Sequence, residues 1–103
     1  MDKQVVLITG CSSGIGRALC MAFHDAGFRV AATARNVDAI ADLKKAGMAA
    51  FALDVNNPDQ VESVVKQVLD SEKRIDILVN NAGYALIGPA LELPPDALLK
   101  QFE

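Results

Sequence analysis

The residues with most chemical content lie in one stretch, Thr9-Gly10-Cys11-Ser12-Ser13-Gly14-Ile15-Gly16. Glycine serves three ends in such a stretch. It allows backbone angles that side chains resist, lets a main chain come close to a diphosphate, and lets a helix lie close against a strand. A helix starting here would aim unpaired N–H groups and a partial positive charge at an anion, and Ser12 and Ser13 add hydroxyl donors. Glycines alone also fit an ordinary tight turn. The context favours the anion site, because a buried-strand pattern precedes the turn and an amphipathic helix pattern follows it.

Two further places carry candidate chemistry. Arg35 follows Ala34 at the end of the second apolar segment, and Asp54 follows Leu53 at the end of the third. Asp54 reads either as a ligand-facing carboxylate or as a turn or helix cap, and Arg35 either as an anion ligand or as a solvated loop arginine. His24 falls on the polar side of the first helix, where a solvated role is expected. Cys11 and Cys20 are the two cysteines and form no Cys-x-x-Cys pair. They read as free thiols of a reducing compartment, with Cys11 in a packing role, and not as a disulfide or metal site.

The elements that must position these groups alternate. Val5, Val6, Leu7 and Ile8 form an apolar run typical of a strand buried on both faces. Ile15, Ala18, Leu19, Ala22, Phe23 and Ala26 then share one helical face, and Gly27 stops the helix. Residues 28–34 form a second strand. Asn36 caps a second helix running to Ala46 before Gly47. Residues 48–53 form a third strand. Asn57-Pro58-Asp59 starts a third helix with Val61, Val64, Val65, Val68 and Leu69 on its stripe. Residues 75–79 form a fourth strand. A loop with three prolines, to about Pro95, and a helical segment over 96–102 complete the chain. This β-α-β-α-β-α-β-α order implies a Rossmann-type α/β fold in three layers, αβα, with an incomplete doubly wound parallel sheet. Right-handed crossovers give strand order 3-2-1-4.

The glycine spacing is Gly-x-x-x-Gly-x-Gly, not the commoner Gly-x-Gly-x-x-Gly. Thr-Gly-x-x-x-Gly-x-Gly, Asp54 in Leu-Asp-Val, and Asn80-Asn81-Ala82-Gly83 come in order, each after a strand. On these motifs the whole chain resembles the N-terminal, cofactor-binding half of a short-chain dehydrogenase/reductase. The resemblance implies that Gly10, Ser12, Ser13, Gly14, Ile15 and Gly16 hold the pyrophosphate and neighbouring ribose of a nicotinamide dinucleotide. Asp54 would bond the adenine amino group with the Val55 backbone beside it. Asn81, Ala82 and Gly83 would lie along the adenosine ribose and inner wall, while Asn80 ties strand ends together. NAD enzymes usually place an acid at the end of strand two, about 20 residues beyond the glycines. Ala34 stands there, and the Arg35 guanidinium can pair with a 2′-phosphate, so NADP(H) is expected over NAD(H). Ser13 tempers this, since some NADP-using relatives carry a basic residue inside the turn.

The family's hydride transfer between nicotinamide and a carbonyl or alcohol carbon uses a Tyr-x-x-x-Lys motif. Tyr84 is the only tyrosine, and the residue four later is Gly88. The chain therefore reads as part of a longer oxidoreductase, inactive alone, with a homo-oligomer expected at full length. A non-catalytic dinucleotide sensor is the alternative. A methyltransferase-like fold ranks last, since it would want an acid where Ala34-Arg35 stands. The 103 residues suit one domain, and a net charge of −3 argues against a nucleic-acid partner. No signal-peptide pattern or membrane-length apolar run is visible, which makes a soluble cytoplasmic protein the expectation.

Overall fold

A computed structural model describes residues 3–12 and 14–81. It contains β1 (Val5–Ile8), α1 (Gly14–Asp25), β2 (Arg29–Ala34), a 3₁₀ turn (Val37–Ile40), α2 (Ala41–Lys45), β3 (Ala49–Ala52), α3 (Pro58–Glu72) and β4 (Ile77–Val79). The strands form one parallel sheet in the order β3-β2-β1-β4, the expected Rossmann-type topology. Ser13, Ala82, Gly83, Tyr84, the proline-containing loop and the helix expected over 96–102 lie outside the described residues.

Alternation along the strands supplies both faces of the sheet. Val5, Leu7, Ala31 and Leu78 point toward α3, whose stripe Val61, Val64, Val65 and Val68 is buried against them, with Leu69 partly buried alongside. Val6, Ile8, Val30, Ala32, Ala34 and Val79 point the other way, toward Cys20, Ile40 and Leu43. A central strand buried on both faces must be apolar at every position, and each residue of β1 is at most 1% exposed. Asn57 caps α3 by accepting from the Asp59 and Gln60 amides, with Pro58 at the first helical position.

Four boundaries or faces differ from the sequence reading. First, the buried face of α1 is rotated. Gly16 and Cys20 are buried with Leu19 and Phe23 partly packed, whereas Ile15 is 72% exposed and Ala18, Ala22 and Ala26 are exposed. Gly16, having no side chain, brings the helix against the glycine turn, and that contact sets which stripe faces inward. Second, Asn36 caps the 3₁₀ turn, accepting from the Asp38 amide, and α2 begins only at Ala41. The break at Ile40 lets that fully buried side chain enter the core beside Leu43. Third, β2 and β3 are shorter than expected. Phe28 is held instead in the turn after α1, edge-to-face on Phe23 with ring centres 5.1 Å apart.

Fourth, β4 begins at Ile77 because Asp76 is engaged elsewhere. Its carboxylate accepts from the Val5 amide at 2.7 Å and from Arg74 at 2.6 and 2.8 Å, and its own amide donates to the Val5 carbonyl. Arg74 holds this carboxyl below the ordinary carboxylate range, and the Val5 amide adds to the effect against the opposing cost of burial. A depressed folded pKa gives stability that is complete above the unfolded value, about pH 4, and is lost as pH falls through the lower folded value. Asp76→Asn is therefore expected to cost about 1.5–3 kcal/mol at neutral pH. It should also flatten the loss of thermal stability below about pH 4. Melting curves of both proteins across that range check the prediction, and parallel acid profiles would refute it.

Candidate functional site

The glycine turn and the described part of the last motif, Asn80 and Asn81, lie at the carboxyl ends of β1 and β4, where the strand order reverses and where ligands of open parallel sheets bind; Asp54 lies after β3 on the other side of the glycine turn. Gly10 leaves β1 with φ 67° and Gly14 opens α1 with φ 63°, a left-handed backbone that glycine adopts without strain. Gly16 serves a different need. A Cβ placed on it would lie 2.1 Å from the Gly10 carbonyl oxygen and 2.7 Å from Asn81 Nδ2. The start of α1 therefore touches the glycine turn directly. The first-turn amides of α1 lack partners within the helix, and a diphosphate can accept from them. The Cys11 amide is not among these donors, because it is spent on the Thr33 carbonyl at 2.9 Å.

Both asparagines of the last motif hold the corner together. Thr9 Oγ1 donates to Asn80 Oδ1 at 3.2 Å, and Asn81 Nδ2 donates to the Gly10 carbonyl at 3.3 Å. Asn80 thus ties two strand ends, as expected. Asn81 uses its side chain to join the turn after β4 to the glycine turn. The thiols pack here as well. Cys20 donates to Cys11 Sγ at 3.1 Å, and Cys11 donates to the Ile8 carbonyl at 3.2 Å. The bond from Cys20 lowers the Cys11 pKa against the effect of burial, while the same contact raises that of Cys20, so Cys20 stays protonated. Both cysteines are free and buried.

Beside the glycine turn lies a cleft of about 370 Å³ whose lining includes Gly10, Ser12, Ala34, Arg35, Asp54 and Val55. Six expected ligand residues or their neighbours therefore border one space. Asn36, Ala39, Leu53 and Asn56 also line it. Sequence reasoning left these four out of the site, although each lies within a few positions of a strand's carboxyl end. Asp54 does two things. Its Oδ1 accepts from the Asn56 amide at 2.9 Å, the turn role that stood as the alternative reading, while its Oδ2 lies 3.6 Å from Arg35 Nη2. Arg35, 79% exposed along its side chain, reaches across the mouth of the cleft. Ala34 is buried and presents no acid there. Ile15 stands exposed at the start of α1.

A second cleft, of about 290 Å³, lies at the opposite ends of the strands. There His24 is half-buried rather than solvated, and Arg29 is paired with Glu72 at 2.6 Å. None of the expected ligand residues lines it. Among the described residues no cluster of metal-ligating side chains occurs, and no helix is long and apolar enough to cross a membrane.

Known proteins share this fold. Residues 4–103 match the family described as short chain dehydrogenase. An NADPH-dependent 1-acyldihydroxyacetone phosphate reductase of Schizosaccharomyces pombe is 44% identical over 93 residues, covering 88% of this chain and 31% of that protein. A short-chain dehydrogenase from Streptomyces avermitilis superimposes with a TM-score of 0.78 at 34% identity, over 98% of this chain and 43% of that one. A metagenomic short-chain oxidoreductase solved in complex with NADP gives 0.70 at 36% identity, over 81% of this chain and 40% of that one. The chain thus spans about a third of the length of the curated relatives it matches. A match over nearly all of its residues, on a parallel sheet of order β3-β2-β1-β4, places this chain in the short-chain dehydrogenase family.

Proposed function

We propose that this chain is the NADP(H)-binding part of a short-chain oxidoreductase that moves hydride between the nicotinamide and the carbonyl or alcohol carbon of a small substrate. The observation that carries the cofactor assignment is Arg35. Its guanidinium stands at the mouth of the cleft beside buried Ala34, where an NAD enzyme would place a carboxylate. A guanidinium meets a phosphate in bidentate fashion and an uncharged neighbour removes repulsion. The NADP bound by the metagenomic relative and the NADPH dependence named for the yeast reductase support the same reading.

The residue types of the three motifs, of which Gly10, Ser12, Asp54 and Val55 border the cleft, suit such a cofactor. Gly10, Ser12, Ser13, Gly14, Ile15 and Gly16 take the pyrophosphate and its ribose. Asp54 accepts from the adenine amino group, with the Val55 backbone alongside, and Asn81, Ala82 and Gly83 run along the adenosine ribose and inner wall. The bound dinucleotide supplies the hydride chemistry, and these residues bind and orient it. The 103 residues hold no Tyr-x-x-x-Lys, so cofactor binding is the activity assigned to them. Titration of the chain with NADPH and NADH, followed by protein or nucleotide fluorescence, is expected to show saturable binding with NADPH the tighter. Equal affinities would remove the NADP(H) assignment, and no binding of either would remove the site.

A further inference from the structure

We infer that Gln60, in the first turn of α3, is a positioning residue that sets Asp54 for the amino group of adenine. The inference rests on the cofactor reading above, in which the Asp54 carboxylate accepts from that amino group. Gln60 Oε1 accepts from the Asp54 amide at 2.7 Å. The bond joins main chain to side chain, so a substitution at residue 60 removes it.

The sheet explains why this amide depends on a side chain. Among the described residues β3 is an edge strand, with β2 as its one neighbour. The Leu53 amide points inward and donates to the Ala34 carbonyl at 2.9 Å. The Asp54 amide, one residue on, points to the open edge, where a strand's N–H groups lack ladder partners. Gln60 supplies the acceptor, and the amide has no other among the described residues. A glutamine at the third helical position commonly turns back to the amide of the residue that caps its own helix. Here that amide, on Asn57, donates to the Asp54 carbonyl at 2.9 Å, and Gln60 reaches past it. Asn57 caps α3 through its own side chain, so the helix starts without help from Gln60.

The other bonds of the segment are internal to it. The Asn56 amide donates to Asp54 Oδ1 and the Asn57 amide to the Asp54 carbonyl. They fix the shape of the turn and the direction of the carboxylate within it. They do not fix the peptide that joins Leu53 to Asp54, about which the turn can tilt against β3. Gln60 does. Water can satisfy this exposed amide in place of Gln60, so the fold survives the loss, but water does not hold its direction. A carboxylate displaced here misses the amino group it must meet at hydrogen-bond distance, and such errors are costly at a site built from fixed groups.

The test compares NADPH with reduced nicotinamide hypoxanthine dinucleotide phosphate, in which a carbonyl oxygen replaces the amino group of adenine. Gln60→Ala removes the acceptor, Gln60→Met replaces it with a thioether, which accepts weakly, and Gln60→Glu keeps an acceptor of the same reach. The parent is expected to bind NADPH more tightly than the analogue. The Ala and Met variants should bind NADPH about three- to tenfold more weakly than the parent and the analogue as the parent does, so that the preference for adenine shrinks by the same factor. Gln60→Glu should keep the parent's preference. A folded Ala or Met variant with an undiminished preference overturns the inference. Equal losses for both ligands, failure of both variants to fold, or a Glu variant that behaves like Ala overturn it too, by leaving Gln60 a structural role only. A parent that binds no NADPH removes the cofactor reading, and this inference with it. A parent that binds NADPH but does not prefer adenine leaves the cofactor reading standing and removes the adenine contact of Asp54 together with this inference.

Discussion

Gly16→Ala is expected to lower the affinity for NADPH about a hundredfold and to destabilise the fold by about 1–3 kcal/mol. The sign runs against helix propensity, because alanine in place of glycine inside a helix ordinarily stabilises by about 0.5–1 kcal/mol. Gly16 lies in the first turn of α1 and is buried. The added methyl would meet the Gly10 carbonyl oxygen at 2.1 Å, its carbon at 2.8 Å and Asn81 Nδ2 at 2.7 Å. Two of these atoms are backbone and cannot swing away. Either α1 retreats from the turn or the turn retreats from β1, and both moves displace the amides that would hold the diphosphate.

Gly14 supplies the control. Nothing lies within 4 Å of a Cβ built there, and its only demand is a φ of +63°. Gly14→Ala should therefore cost about 1–2 kcal/mol of backbone strain with a smaller loss of affinity. Melting curves and NADPH titrations on both variants test the difference. The argument fails if Gly16→Ala binds like the parent, or if the two variants lose affinity equally.

These two glycines also show what the sequence made legible. The glycine spacing pointed to a tight turn between β1 and α1. It did not say that one glycine answers a torsion angle and another a contact across the sheet with residue 81, because the second requirement exists only after β1, α1 and β4 have assembled. The strand order was legible for the opposite reason: alternating elements with right-handed crossovers leave few arrangements. Double-sided burial of β1 was likewise written in Val5-Val6-Leu7-Ile8.

The inward face of α1 was misread because hydropathy gives Gly16 little weight and Ile15 a great deal, while the packing does the reverse. Local pattern thus revealed the elements and singled out the candidate site motifs. The contacts that hold those motifs in place join residues far apart in the chain, such as Gly10 with Asn81, and only the fold brings them together.

Arg35→Ala is the substitution expected to change specificity with least effect on the fold. Arg35 is exposed, and its contact with Asp54 is a surface ion pair at 3.6 Å. Such pairs contribute about 0–1 kcal/mol, so the melting temperature should scarcely move. Toward a 2′-phosphate the same guanidinium is worth more, because a charge-assisted pair of hydrogen bonds contributes about 1.5–3 kcal/mol. NADPH should therefore bind about 10- to 100-fold more weakly to the variant, while NADH, which carries a 2′-hydroxyl, should bind much as before. Asp54 sharpens the contrast. Its Oδ2 faces Arg35 across the cleft, and without the guanidinium this carboxylate would repel a 2′-phosphate. Adding Asp54→Asn to the variant should relieve that repulsion and return part of the lost NADPH affinity, at the cost of the contact to adenine. Because Arg35 is so exposed, rising salt should narrow the parent's preference for NADPH and leave the variant's ratio nearly flat. An unchanged ratio of NADPH to NADH affinity in Arg35→Ala would show that the preference, if present, is set elsewhere in the cleft.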